Sequence, residues 1–324
     1  MQTTTHAFGS AQNLAFIFPG QGSQRVGMGK SLAENYAVAL STFQKADEIL
    51  GMNLSKLCFE GPEEKLCHTE YTQLAVLTCS IATLRVLQEN GLSYDYVAGH
   101  SLGEYSALIA CRSLLFEDAL KLVQYRAKFM EEASRGMKSG MIAVLGLDEH
   151  KLALICEEAS SSSGVVQIAN YNCPGQIVIA GENKALEKAT ALAEASNARC
   201  IPLSVNGAFH SSLMKSAALN LQKIIKGFSI SKPEIKFIAN VTGNYIVQAE
   251  QIRNILISQI TSPVHWEASI RLMIRDGVTI FVEVGPGKVL SGLVRRIDRN
   301  MITFNVDKSN DVERVLGVLD ETER

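Results

Sequence analysis

The chain has 324 residues, enough for two structural units at roughly 150 residues each. Lys and Arg number 31 against 33 Asp and Glu, a formal net charge of -2, which excludes a global positive field able to hold nucleic acid or an anionic membrane. At 47% hydrophobic and 20% charged residues the chain is too apolar for intrinsic disorder.

Residues 1–13 are polar and small, without the charged-then-apolar order of a signal peptide, and read as a frayed lead-in. A first strand is predicted over 14–18, stopped by Pro19-Gly20. Helical periodicity follows over 31–50, with one break, and over 72–89, which closes on Asn90-Gly91. A buried strand over 94–99 turns almost at once into a helix over 102–110, with Ser101 in the turn. A long amphipathic helix spans 115–133 and gives way at Ser134-Arg135-Gly136 to a different texture, where a boundary is placed.

Beyond it come a strand over 141–147, a helix over 149–159, strands over 165–171 and 176–180, a helix over 184–195 and a strand over 198–203. That order is the one of a ferredoxin-like split unit, inserted as residues 135–206 into a larger unit made of 1–134 and 207–324. The tract Ser160 to Ser163 reads as a loop. The larger pattern resumes with helices over 211–225, 252–260, 266–275 and 289–297, and strands over 235–239 and 279–284. Short apolar runs alternating with amphipathic stretches give an α/β class with a mostly parallel sheet.

Seven scattered cysteines with no C-x-x-C pair suit free thiols in a cytoplasmic setting rather than a disulfide framework or a zinc site. No apolar stretch reaches the ~18 residues of a membrane span, so a soluble chain is expected.

Gly99-His100-Ser101-Leu102-Gly103 matches G-x-S-x-G between a predicted strand and a predicted helix, the setting of a nucleophile elbow. By itself the pentapeptide also fits a tight turn with a capping serine. A nucleophilic serine needs a base. Of six histidines, His6 lies in the lead-in, His68 in a polar loop, His150 at the start of a surface helix and His265 at a helix start with a structural role. His100 lines the turn but points away from its neighbour. His210, in Gly207-Ala208-Phe209-His210-Ser211, stands in a loop just before a helix and is the candidate base.

A hydrolase triad would need an acid between serine and histidine. Asp118 and Asp148 are the only aspartates there and neither is evidently placed, so a backbone carbonyl could orient His210 instead. Arg126 lies one position off the apolar stripe of its helix, in line with Leu122 and Met130. It cannot lose its proton there, so it either pairs with a glutamate such as Glu104 or clamps an anionic substrate. Phe18-Pro19-Gly20-Gln21-Gly22-Ser23-Gln24 follows the first strand, where a second oxyanion donor would sit, and lacks the lysine of a phosphate-binding loop.

Six segments in this order resemble the malonyl-CoA:acyl carrier protein transacylases of bacterial fatty-acid synthesis and, more distantly, the acyltransferase domains of polyketide synthases. They are residues 18–24, Gly99 to Tyr105, Gln124-Tyr125-Arg126-Ala127, Asn170 to Gln176, Ala208-Phe209-His210, and Glu283-Val284-Gly285-Pro286-Gly287. The resemblance implies a hydrolase-like large subdomain with a ferredoxin-like small one. It implies Ser101 as nucleophile, His210 as base, Arg126 as clamp on the malonyl carboxylate, and the backbone N–H groups of Gln21 and Leu102 as oxyanion hole. The carbonyl of Gln259, matched by its distance to Pro263, would orient His210.

Phe209 matches the malonyl-selective form of its motif. The substrate would be malonyl-CoA, with phosphopantetheine carried by an acyl carrier protein, no permanently bound cofactor or metal, no nucleic-acid or membrane partner, and a monomeric enzyme. An acidic carrier calls for a basic rim, for which Lys288, Arg295 and Arg296 are candidates. Rival readings are an esterase or thioesterase with the same Ser-His pair, a non-catalytic carrier-binding scaffold with a relic site, and a polyketide acyltransferase working in trans.

Overall fold

The computed structural model describes residues 13–322, so the lead-in, Asn13 aside, and His6 lie outside the described residues. The strands in chain order are β1 (Leu14–Phe18), β2 (Tyr96–Gly99), β3 (Ser139–Leu145), β4 (Val166–Cys173), β5 (Gln176–Glu182), β6 (Arg199–Pro202), β7 (Lys236–Ala239), β8 (Asn244–Ile246), β9 (Val264–His265), β10 (Ile280–Val284) and β11 (Ile302–Val306). They form two sheets, ordered β11-β10-β1-β2-β7-β8 and β6-β3-β5-β4-β9.

In the first sheet every neighbouring pair except β7–β8 is parallel. Every residue of β1, β2 and β10 is buried, as expected of strands covered on both faces. The period-2 alternation of side chains splits the core accordingly. Phe16 and Phe18 join the cluster beneath helices Ala37–Leu50, Thr69–Glu89 and Phe116–Ser134, while Ala15 and Ile17 join Trp266, Met273 and Phe281 on the other face. Parallel strands end at one edge of the sheet, and the loops after β1, β2 and β7 therefore meet there. They carry Gln21, Ser101 and Asn240.

The second sheet is antiparallel through β6-β3-β5-β4 and packs helices Glu149–Ser163 and Asn183–Ala195 on a separate core of Val144, Leu152, Ile179, Leu186 and Ala189. Its fifth strand, β9, comes from far along the chain and pairs parallel with β4, Asn170 opposite Val264 and Tyr171 opposite His265. A two-residue strand has too short a pattern to register in a sequence. His265 stands at a helix start as expected, as the N-cap of Trp266–Arg275, and it also closes this strand and stacks on Tyr171 with ring centroids 5.0 Å apart.

Other differences have local causes. The break expected within 31–50 falls at Tyr36, which is extended between helices Lys30–Asn35 and Ala37–Leu50. Ser160 to Ser163 are the last turn of a helix, not a loop. Ser160 Oγ donates to the Val166 carbonyl and accepts from the Val166 N–H, and Ser161 Oγ donates to the Glu158 carbonyl, so hydroxyls satisfy the helix end. The single helix expected over 211–225 is a 3₁₀ turn at Ser212–Met214 followed by an α-helix at Lys215–Ile224. The elements with no prediction are the helices Leu54–Glu60 and Glu63–Leu66, the strands β8, β9 and β11, and the closing helix Ser309–Thr322. None of the described helices is long and apolar enough to cross a membrane.

Candidate active site

The site is built around the turn between β2 and helix Gly103–Ala110. Ser101 sits there at φ 52°, a left-handed conformation that costs a non-glycine residue free energy and is held only when its surroundings enforce it. The glycines on either side are steric requirements. A Cβ on Gly99 would fall 1.9 Å from the Gly103 carbonyl group, and one on Gly103 would fall 2.1 Å from the Phe18 carbonyl oxygen. Both contacts are with backbone, which cannot swing aside. His210 is likewise left-handed, at φ 60°.

These two strained residues face each other: Ser101 Oγ lies 2.8 Å from His210 Nε2. On the other side of the ring, His210 Nδ1 lies 2.8 Å from the Gln259 carbonyl oxygen. That contact fixes a tautomer with the proton on Nδ1 and a lone pair aimed at the serine. Burial, with the nearby Arg126 charge adding to it, pushes His210 down to about 3, so the imidazole is neutral at physiological pH.

Among the described residues the acid of a hydrolase triad has no counterpart, its place against Nδ1 being taken by the Gln259 carbonyl. Asp148 accepts from the Lys151 N–H as a helix cap, 2.9 Å away, and Asp118 belongs to the first turn of helix Phe116–Ser134.

Arg126 is 1% exposed, on the buried face of helix Phe116–Ser134. The expected alternative of a direct pair with Glu104 is not what the structure holds. Arg126 Nη1 donates to Gln73 Oε1 at 2.6 Å and Nη2 donates to Gln259 Oε1 at 3.0 Å, both neutral amide oxygens, with Ser101 Oγ 3.3 Å from Nη2. Its Nε has no partner among the described residues, and the Tyr105 ring lies 5.7 Å from the guanidinium carbon. A buried cation held by neutral oxygens beside a nucleophile is a site without a directly bonded counter-ion.

A cleft of about 110 Å³ opens onto these groups, lined by Gln21, Ser101, Arg126, Met141, Phe209 and His210 among others. Gln21 and Leu102 flank Ser101 from the loops after β1 and β2. Neither backbone N–H has a hydrogen-bond partner among the described residues. His100 lines the cleft and is held by Asn172 Oδ1, 2.9 Å from Nε2. Of the rim candidates, Lys288 and Arg295 are exposed, and Arg296, also exposed, donates to Gln176 Oε1 at 2.5 Å.

Hydrogen bonds join four of the residues expected at the site, Ser101, His210, Arg126 and Gln259; Gln21 lines the same cleft, and Leu102 follows Ser101 in the chain without lining it. The structure adds Gln73, Asn240 and the side chains of Gln259 and Glu104. Asn240 Oδ1 accepts the Ser101 N–H at 2.7 Å, and its Nδ2 donates to the Gly99 carbonyl at 2.6 Å. Two signals could have flagged these residues. Gln73 is an amide directly ahead of the apolar run Leu74 to Leu77, and Asn240 follows a strand at the carboxyl edge of a parallel sheet.

The family model described as the acyl transferase domain matches residues 15–319. The malonyl CoA-acyl carrier protein transacylase of Bacillus subtilis is 45% identical over 309 residues, 95% of this chain and 98% of that one. The enzyme of the same name from Escherichia coli K12 is 43% identical over 285 residues, 87% of this chain and 92% of the relative. Among solved structures, the malonyl CoA-acyl carrier protein transacylase of Clostridium perfringens superposes with a TM-score of 0.93 at 41% identity, covering 97% and 98% of the two chains. A type II polyketide-synthase acyl-carrier protein in complex with its malonyl-transacylase superposes at 0.92 with 38% identity, covering 95% and 100%.

Proposed function

The chain belongs to the acyl transferase family, among the malonyl CoA-acyl carrier protein transacylases, and from that premise we propose how its own residues move the acyl group. The enzyme transfers malonyl from malonyl-CoA to the phosphopantetheine thiol of acyl carrier protein, supplying fatty-acid synthesis.

Ser101 Oγ attacks the thioester carbon while His210 Nε2 takes the hydroxyl proton. The oxyanion is received by the N–H groups of Gln21 and Leu102. As the tetrahedral intermediate collapses, the C–S bond breaks, the proton passes from His210 to the departing CoA sulfur, and a malonyl-serine ester remains. The carrier thiol then gives its proton to His210 and attacks the ester carbon; the bond from that carbon to Ser101 Oγ breaks, His210 returns the proton to Oγ, and the free serine is restored, so the kinetics are ping-pong. No metal or permanently bound cofactor enters these steps.

Selectivity falls to Arg126, whose guanidinium lacks a carboxylate partner at rest and meets one on the malonyl group. Acetyl would leave that buried charge unpaired, a penalty of roughly 2 to 5 kcal/mol. The contact that carries this reading is the line from the Gln259 carbonyl through His210 to Ser101, with Arg126 at its end.

We take residues 135–206 as a ferredoxin-like small subdomain inserted in a hydrolase-like large one. The strand order of the second sheet supports this, since the unit's fourth strand lies beside its first, then third, then second. A monomer working in the cytoplasm, with the basic rim of Lys288, Arg295 and Arg296 meeting the acidic carrier, completes the proposal.

The test is intact-protein mass after brief exposure to malonyl-CoA or acetyl-CoA, followed by holo acyl carrier protein. One malonyl adduct, absent from Ser101→Ala and transferred to the carrier, is the expected result. An adduct lost to water regardless of carrier would instead favour a thioesterase.

A further inference from the structure

One buried carboxylate lies at the centre of contacts that the transfer steps leave unused. Glu104 is fully buried in the first turn of helix Gly103–Ala110. Its Oε1 accepts the Asn240 backbone N–H at 2.7 Å, and its Oε2 accepts from Gln259 Nε2. Those two residues hold both main-chain polar groups of Ser101: Asn240 Oδ1 takes the N–H at 2.7 Å, and Gln259 Nε2 donates to the carbonyl at 2.9 Å. Gln259 then reaches the base through its own carbonyl and Arg126 through Oε1.

We infer that Glu104 is a positioning residue for acyl selection, fixing which way the Gln259 amide faces and thereby how Arg126 is presented to the acyl carboxylate. The chemistry is directional. Burial pushes Glu104 up to about 7, while the N–H donors of Asn240 and Gln259 and the Arg126 charge favour its ionised form; as a carboxylate it can only accept hydrogen bonds, so the Gln259 NH₂ must face Glu104 and its oxygen must face the guanidinium. Replaced by a neutral amide, position 104 could pair with either end of Gln259, and the flipped form would turn an NH₂ toward Arg126, two donors meeting with no acceptor between them. The carboxylate thus serves as a counter-ion to Arg126 at one residue's remove. Its negative charge is relayed through the polarised amide, while the guanidinium keeps a free edge toward the cleft. A direct Glu104–Arg126 pair would have consumed that edge.

This rests on Arg126 selecting malonyl, as proposed above, and the experiment separates the two. Rates of Ser101 acylation by malonyl-CoA and by acetyl-CoA are measured for the parent chain, Glu104→Gln, Gln259→Leu and the double variant. Gln259→Leu keeps the backbone carbonyl that His210 needs.

Each single variant is expected to lose roughly tenfold or more of the malonyl-over-acetyl preference, with the double variant no worse than the poorer single one, as for residues acting in series. Equal losses for both acyl groups would mean that Glu104 merely supports the fold, and would overturn the inference. So would an unchanged preference in Gln259→Leu, even if Glu104→Gln fails to fold. A parent chain that shows no malonyl preference would overturn the Arg126 reading itself, and this inference with it.

Discussion

A base that stays neutral is always ready to accept a proton, and the surroundings of His210 keep it so at some cost in proton affinity. An ordinary imidazole near 6.5 is largely protonated at pH 5.5. His210, pushed down by burial first and by the Arg126 charge second, is expected to be neutral there, with the imidazole shifts of an NMR titration as the measurement. Arg126→Ala should move the titration upward, because the largest charge contribution to the depression is gone.

The stability consequence follows from linkage. Below about pH 6.5 the unfolded chain binds a proton that the folded chain refuses, so His210 lowers stability progressively as pH falls toward its folded value. The difference in Tm between the parent and His210→Gln, followed from pH 6.5 to 4.5, should therefore shift in favour of the variant. Ser101, His210 and Arg126 were legible at this scale because their residue types are improbable in their settings. Gln73 and Asn240 gave only weak signals, an amide beside an apolar run and an asparagine after a strand, since single amides are common and their partners are what reveal a role.

At the scale of elements, the glycine pattern separates steric need from indifference. Gly103→Ala would drive a Cβ against the Phe18 backbone, where nothing can yield, and a loss of about 3 kcal/mol or more is expected from denaturant midpoints. Gly292 offers the contrast. It lies inside helix Val289–Ile297 with nothing within 4 Å of a built Cβ, so Gly292→Ala should stabilise by roughly 0.5 to 1 kcal/mol through helix propensity and reduced chain entropy. The long helices and the buried strands β1, β2 and β10 announced themselves through sustained periodicity or unbroken apolar runs. The short β8 and β9 carry too few residues to show a period, and β9 exists as a strand only because β4 lies beside it.

Across the whole molecule, the loop carrying Gln21 is tied to the far end of the chain. Arg25 pairs with Asp307, just past β11, and Ser31 Oγ lies 2.9 Å from Ser309 Oγ at the start of the closing helix. Asp307→Asn removes the charge that anchors this loop. The expected outcome is a lower rate of serine acylation with little change in KM for malonyl-CoA, since an oxyanion donor acts on the transition state.

At the rim, Lys288→Glu combined with Arg295→Glu should raise KM for the carrier by roughly tenfold at low ionic strength, the gap closing as salt is added. The same changes should affect the malonyl-CoA half-reaction less. A net charge of -2 speaks neither for nor against the proposed rim, because the sum over a chain is blind to where its charges lie.

Composition, hydrophobic period and six ordered motifs sufficed to determine the α/β class, the elbow serine, the candidate base and the candidate clamp, because each is written in residues near one another along the chain. Tertiary structure alone decided what those residues touch. It set Gln73 and Gln259, not a carboxylate, against Arg126, and it brought Glu104 within reach of Gln259 across 155 positions. Such partners meet through the convergence of parallel strand ends and the packing of distant helices, and the information that pairs them is carried by the fold rather than by any local pattern.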